Sequence, residues 1–435
     1  TLAGLHALVQ SFSMTSTASN ASFNATVQLS QTFEAALVPI FQFAVFYDND
    51  FEMAPGTDMT VLGRVHSNGN MWLQAGSSLK MNSYATASGH IWHGRKGPGP
   101  VDAGDVLVKN GSGNYVSMKE GAGWLDANDA HWYDSSVARW QGRVQDSTHG
   151  QGPLNLPLSP TAGGNPHKLI ERASGNPDSY ESKATLKFTD RQAYRKVGGA
   201  WVNVTADMVS KGIITFTDDK FYDAREATWV DCMELDMEKM YDEGYGPSNG
   251  VVYYSDQTSD FPALRINNGS ELDAGLTVVS ENPLYTVGDY NSTQKKPAAL
   301  LADAITFLSS AWDDAKSTLP KNSRNAFKTT VNVSFLTGNV ETTSLNYNGG
   351  FENLPRLLED WTNKRLTWRG SAVNLWNSVQ ATGNWSTAYF SEPVRNWYFD
   401  SDLDDPNNMP PETPVFRVFQ RIGWHQQHVG YEPEE

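Results

Sequence analysis

Along most of the chain, apolar and polar residues alternate in short runs, and Gly or Asn closes each run after a few positions. Two stretches show this best: TVLGRVHSNGNMWLQAGSSLKMNSYATASGHIWHG, from Thr60 to Gly94, and VVYYSDQTSDFPALRINNGSELDAGLTVVSENPLYTVGDYN, from Val251 to Asn291. Alternation with period two places every second side chain on one face, the mark of a strand, and breaks this close together leave no room for long helices. The pattern predicts a mainly β protein with helical insertions. Its body is expected to be a β-solenoid (β-helix-like), both stretches winding into one stacked column whose corners use Gly or Asn for left-handed backbone angles.

Departures from this cadence suggest the organisation. Between Ala25 and Tyr47, Leu29, Phe33, Leu37, Ile40, Phe41 and Ala44 recur at roughly helical spacing, which predicts an N-terminal apolar helix, kinked at Pro39, that plugs an end of the column or packs along its side. The segments expected are 1–50, N-terminal helical; 51–95, first solenoid stretch; 96–180, a loop-rich aromatic insertion; 181–248, an α+β insertion; 249–392, second solenoid stretch with inserted helices; and 393–435, an irregular C-terminal strap. Within the α+β insertion, KATLKF and GIITF read as strands, and ATWVDCMELDMEKMYD as a strand or turn passing into a helix. In the second stretch, KKPAALLADAITFLSSAW reads as a helix opened by Pro297, with Leu301, Ala304, Ile305, Leu308 and Trp312 on one face, and LPRLLEDW as a shorter one.

Charge narrows the partners. The 435 residues carry a formal net charge of −16, and the few Lys and Arg are dispersed, so the counterion-release term that drives nucleic-acid binding is missing. Cys232 is the single cysteine, which leaves neither an internal disulfide nor a multi-cysteine metal site and reads as a buried free thiol. No apolar run is long enough to span a membrane, so an export signal or membrane anchor is expected only upstream of Thr1. The polar, Gly- and Asn-rich composition with 19% charged residues points to an exported protein, extracellular or on a bacterial cell surface. Eight N-x-S/T sequons, at Asn20, Asn24, Asn110, Asn203, Asn268, Asn291, Asn332 and Asn384, fit exposed polar loops.

Chemistry is sparse. No nucleophile elbow, P-loop or dinucleotide fingerprint occurs, so no catalytic or cofactor-binding residue is assigned. Trp124, Trp132 and Tyr133 sit among glycine-rich breaks, where such rings either contact a sugar or partner protein or pin loops to the scaffold. Asp126, Asp129 and Asp134 lie beside them and are the place to seek a polysaccharide-cleaving cleft. Asp400, Asp402 and Asp404 place hard oxygen ligands at alternate positions, a candidate structural calcium site, as do Asp48 and Asp50; neither run has the Gly and distal Glu of an EF-hand loop. His66 is expected to order a corner. His90 and His93 would point to opposite faces of a strand rather than share a metal.

Specific strings add a resemblance. FAVFYDNDFEMAPGTDMTVLGRVHSNGNMWL, FYDAREA, GLTVVSENPLYTVGDYN, KKPAALLADAITFLSSAWDD and GGFENLPRLLEDW with LTWRGSAVNLW resemble, in the same order from about Phe43 to Trp424, segments of large bacterial envelope proteins described as PilX-like or type IV pilus-assembly-associated. The resemblance implies a cell-surface or pilus-associated role and supplies no catalytic residues. Together with the stiff body expected above, it suggests a non-enzymatic structural component, capable of self-assembly, whose partners are other pilus or cell-surface proteins and itself. The alternatives are a glycan-binding adhesin and a polysaccharide-active β-helix enzyme.

Overall fold

Three-residue strands stack in parallel at an offset of twenty residues. Val45–Tyr47 pairs with Val65–Ser67, which pairs with Ala85–Ala87. Phe51–Met53, Met71–Leu73 and Ile91–His93 repeat the arrangement, and Met59–Val61, Ser78–Met81 and Asp105–Lys109 form a third ladder. Stacking in register puts like on like: Met71 lies between Phe51 and Ile91, and all three are fully buried. Glycine serves the turns in two ways. Gly63 takes a left-handed φ of 96°, whereas at Gly76 a Cβ would sit 2.5 Å from the carbonyl oxygen of Gly56, so only a bare backbone lets the turns approach. The computed structural model describes residues 5–23 and 25–428; the Asn24 sequon and the outer ends of the first and last expected segments lie outside them.

The second segment builds longer parallel ladders. Val251–Ser255, Leu276–Ser280, Ala298–Ala302, Ser334–Thr337 and Ala372–Asn374 follow one another in a 12-stranded sheet. Ala372–Asn374 then pairs with Val45–Tyr47, so the last of these strands meets the start of the first segment. Thr228–Asp236, Pro262–Asn267, Leu284–Val287 and Ile305–Leu308 lie in a five-stranded sheet. Strand Thr228–Asp236 runs directly into helix Met237–Asp242, as the sequence suggested, with the Asp236 carboxylate accepting from the Lys239 amide at its start.

Several expectations are corrected. The β-solenoid, one column wound in chain order from both stretches, is not found: the described strands are divided among seven sheets, none of them closed, and buried apolar residues gather in three clusters. The chain leaves the first stack after Val144–Gln145, at one edge of the large sheet, and re-enters near its far end, at Leu186–Thr189, so the second stretch advances toward the start of the first while the first grows away from it. The N-terminal apolar helix is also absent. Ala25–Pro39 is one long strand, followed by a 3-10 turn at Ile40–Gln42 and the strand Val45–Tyr47. Leu29, Phe33 and Leu37 are four apart, a spacing that fits a helix face and also the even positions of a strand; Val27 and Ala35 on the same side, with Ser30, Thr32 and Glu34 opposite, fit only the strand.

Around Pro297 the expected helix is two strands, Ala298–Ala302 and Ile305–Leu308. Every residue in both is buried, and a strand covered on both faces loses the alternation that would have marked it. LPRLLEDW likewise follows a 3-10 turn at Phe351–Asn353 and continues through isolated bridges at Arg356 and Asp360. Past Pro393 the chain forms the strands Val394–Phe399 and Val415–His428, with two 3-10 turns between them.

One stacking contact makes a quantitative test. At Gly370, the end of strand Arg365–Gly370, a Cβ would lie 2.0 Å from the Val333 carbonyl oxygen, which also accepts from the Trp368 indole N–H at 2.9 Å. Neither backbone can yield without breaking ladder bonds. Gly370→Ala is expected to cost about 3 kcal/mol, read as a lower urea midpoint at unchanged slope; an unchanged midpoint would show that the two backbones are not in contact.

Candidate functional site

The least protected surface is a three-stranded antiparallel sheet made by strands Leu8–Asn20, Ala25–Pro39 and Val415–His428, with Ala25–Pro39 in the centre. Register sorts its side chains. Leu8, Phe12 and Met14 stand opposite Leu37, Phe33 and Gln31, and across the central strand Ala35 meets Phe419 and Gln31 meets Trp424. The other face carries a hydroxyl ladder, with Ser13–Thr32 at 3.3 Å, Thr15–Ser30 at 2.9 Å and Ser19–Thr26 at 3.0 Å. Val38 and Phe416, paired at the base of that polar face, are buried against Phe43 and Phe46 and root the sheet in the body. The apolar face is left open: Met14 and Trp424 are each 65% exposed and Phe419 is 64% exposed.

Among the described residues no strand pairs with its outer edges either. Leu8–Asn20 and Val415–His428 flank the sheet, and Leu8–Asn20 carries neither a charge nor a proline over 13 residues. Natural edge strands are normally guarded by charge, proline or a bulge, since a bare row of N–H and C=O groups recruits another strand. Across the three strands the one acid is Glu34, on the hydroxyl face, while Arg417 and Arg421, paired with Leu37 and Phe33, stand on the open face, in a chain of net charge −16. Sequence inspection missed this surface because the central strand read as a helix.

The residues singled out in the sequence lie elsewhere. Trp132 is buried at the start of helix Trp132–Trp140, packs edge-to-face on Trp140 and donates to the Asp146 carboxylate at 2.9 Å. Trp124 is stacked on His93 with ring centroids 3.3 Å apart, and Tyr133, exposed, stacks on His149. Asp126 accepts from the backbone amides of His93 and Asn128, and Asp129 from that of His131, so both brace local turns, while Asp134 is exposed in the first helical turn. His66 is buried between Thr86 (2.8 Å) and Asn68 (3.1 Å), stacked on Phe46, and burial lowers its pKa to about 4. His90 turns to Ser147 and Asp146 instead of sharing a ligand with His93.

The acidic runs are occupied by cations of the chain itself. Lys295 bridges Asp400 and Asp402, and Arg369 pairs with Asp400 at 2.7 Å. Asp404 stands apart from these pairs, its pKa raised by burial. Asp50 is held by Lys96 at 2.9 Å, and Asp48 accepts from the Asn68 side chain at 2.7 Å. A calcium ion at either run would have to displace these partners, and among the described residues no cluster of three or more His, Cys, Asp or Glu is arranged to hold a metal. Cys232 is buried, and burial pushes its thiol up to about 12. Among the described residues no helix is long and apolar enough to cross a membrane.

Comparison with known proteins adds little. No family model and no curated protein matches the chain, so membership of the PilX-like proteins is not shown. Among solved structures, the chain is similar to the competence-associated pilin ComZ from Thermus thermophilus, with 10% identity and a TM-score of 0.34, over 97% of this chain and 82% of that one. A likeness of that size carries no argument, and function must be argued from the chain itself.

Proposed function

We propose that this protein is a non-enzymatic structural component of a bacterial cell-surface or type IV pilus-associated assembly, exported to the cell exterior. The observation that carries the reading is the terminal sheet, with its open apolar face and the uncharged edge Leu8–Asn20. Such an edge adds a strand from a neighbour through main-chain hydrogen bonds, while the apolar face buries against it. The neighbour is a second copy of this chain. Two bodies of charge −16 repel, and the terminal sheet, with two arginines to one acid, is where they can approach. The string resemblance to pilus-associated envelope proteins points the same way.

Sedimentation velocity over a concentration series tests this. The native chain is expected to self-associate, and Phe12→Lys, which puts a charge in the open edge, to weaken association at least about tenfold, the equivalent of about 1.4 kcal/mol. A native chain that stays monomeric at all concentrations, or a variant that associates as the parent does, would overturn the reading.

A further inference from the structure

A groove of about 1120 Å³ lies where early and late parts of the chain meet, lined by residues 54–62 together with residues 347–353 and 391–398. We propose that this groove binds a neutral oligosaccharide chain, a function separate from assembly at the terminal sheet.

Size and lining support that ligand class. The volume exceeds the roughly 300–1,000 Å³ of ordinary small-molecule pockets, and the groove is open, which suits an extended chain of linked sugars. Its apolar surface is aromatic. Trp385 and Trp397 are half-buried and Tyr398 is exposed, so each has surface available for the apolar face of a pyranose ring. These rings are held from behind. Trp385 lies against Gly349, where a Cβ would sit 2.6 Å from its Cδ1, and is braced edge-to-face by Tyr347 at 5.5 Å. Trp397 is wedged edge-on between Phe351 and Trp368, both at 5.7 Å. Among the described residues the indole N–H groups of Trp385 and Trp397 have no hydrogen-bond partner, and both N–H groups are buried.

Charge decides between neutral and acidic glycans. The groove's two guanidinium groups are held by neutral groups: Arg95 lies 4.1 Å over the Tyr347 ring, and Arg395 donates to the Glu352 backbone carbonyl at 3.2 Å and lies over Trp397. The acids Asp58, Asp102 and Glu392 also line the groove. A uronic acid or phosphate chain would meet three carboxylates against two guanidinium groups, whereas sugar hydroxyls donate readily to carboxylate oxygens.

The test uses the whole chain and isothermal titration with cellohexaose, chitohexaose and maltohexaose, and with hexagalacturonate as the acidic probe. At least one neutral hexasaccharide is expected to bind and hexagalacturonate not to bind. Trp385→Ala should weaken the neutral ligand about tenfold. Tyr398→Ala, at an exposed position that tolerates truncation, should weaken it several-fold, and Phe12→Lys should leave it unchanged. The proposal fails if no neutral hexasaccharide binds, if hexagalacturonate binds more tightly, or if Trp385→Ala and Tyr398→Ala both retain parental affinity.

Discussion

Replacing Asp303 with alanine is expected to destabilise the protein by about 3 kcal/mol. The carboxylate is fully buried behind strand Ala298–Ala302 and accepts from three consecutive backbone amides, those of Val379 (2.5 Å), Gln380 (3.1 Å) and Ala381 (2.8 Å). No secondary structure satisfies those amides, because the chain at 379–381 is irregular. Alanine would leave three donors unpaired, at a cost of about 1–3 kcal/mol for the buried Ala381 amide and less for those of the half-buried Gln380 and the exposed Val379, which water can reach. Asp303→Asn keeps the shape and one acceptor oxygen and should lose less than half as much. Urea unfolding of both variants at constant slope measures the difference, and a loss below about 1 kcal/mol for alanine would show that the amides find other partners.

The second large effect is on pH dependence. Glu359 is buried and accepts from both the amide and the hydroxyl of Ser309, each at 2.6 Å; burial outweighs these bonds and raises its pKa to about 7. An unfolded glutamate ionises near about 4.3. Between those values the folded chain holds a proton that the unfolded chain has released, so stability is full below the lower value and falls as pH rises toward the upper, by up to about 3 kcal/mol. Glu352, also buried and also raised to about 7, adds to the same slope. His66 acts in the opposite sense. Its pKa of about 4 keeps it neutral when folded, so stability falls as pH drops from about 6.5. Glu359→Gln removes one of these contributions. Its stability relative to the parent should therefore rise by up to about 3 kcal/mol from about pH 5 to about pH 8, and a pH-independent difference would show that Glu359 is ionised throughout.

How far the fold was legible follows from what surrounds each strand. Val65–Ser67 and Met71–Leu73 stood out because Gly and Asn bracket them. Ala298–Ala302 and Ile305–Leu308 were hidden because burial on both faces erases alternation and leaves a run that imitates a helix. Ala25–Pro39 misled for a different reason, since apolar residues four apart satisfy both periods.

The candidate surfaces were harder to see than the strands. Trp132 drew attention by standing among glycines, yet it is buried, while Trp385 and Trp397, in less conspicuous strings, line the groove. The groove joins residues 54–62 to residues 391–398, more than three hundred positions away, and no local pattern announces such a meeting.

From sequence alone came the strand-rich character, the turn positions, the acidic surface and the buried thiol, because each depends on neighbours a few residues apart or on a sum over the chain. The tertiary structure decided which strands meet, that Leu8–Asn20 and Val415–His428 flank one open sheet, and that Asp400 and Asp402 answer Lys295 and Arg369. Those outcomes depend on pairings between distant segments, whose free energy comes from burial and register and is not encoded in any short window of residues.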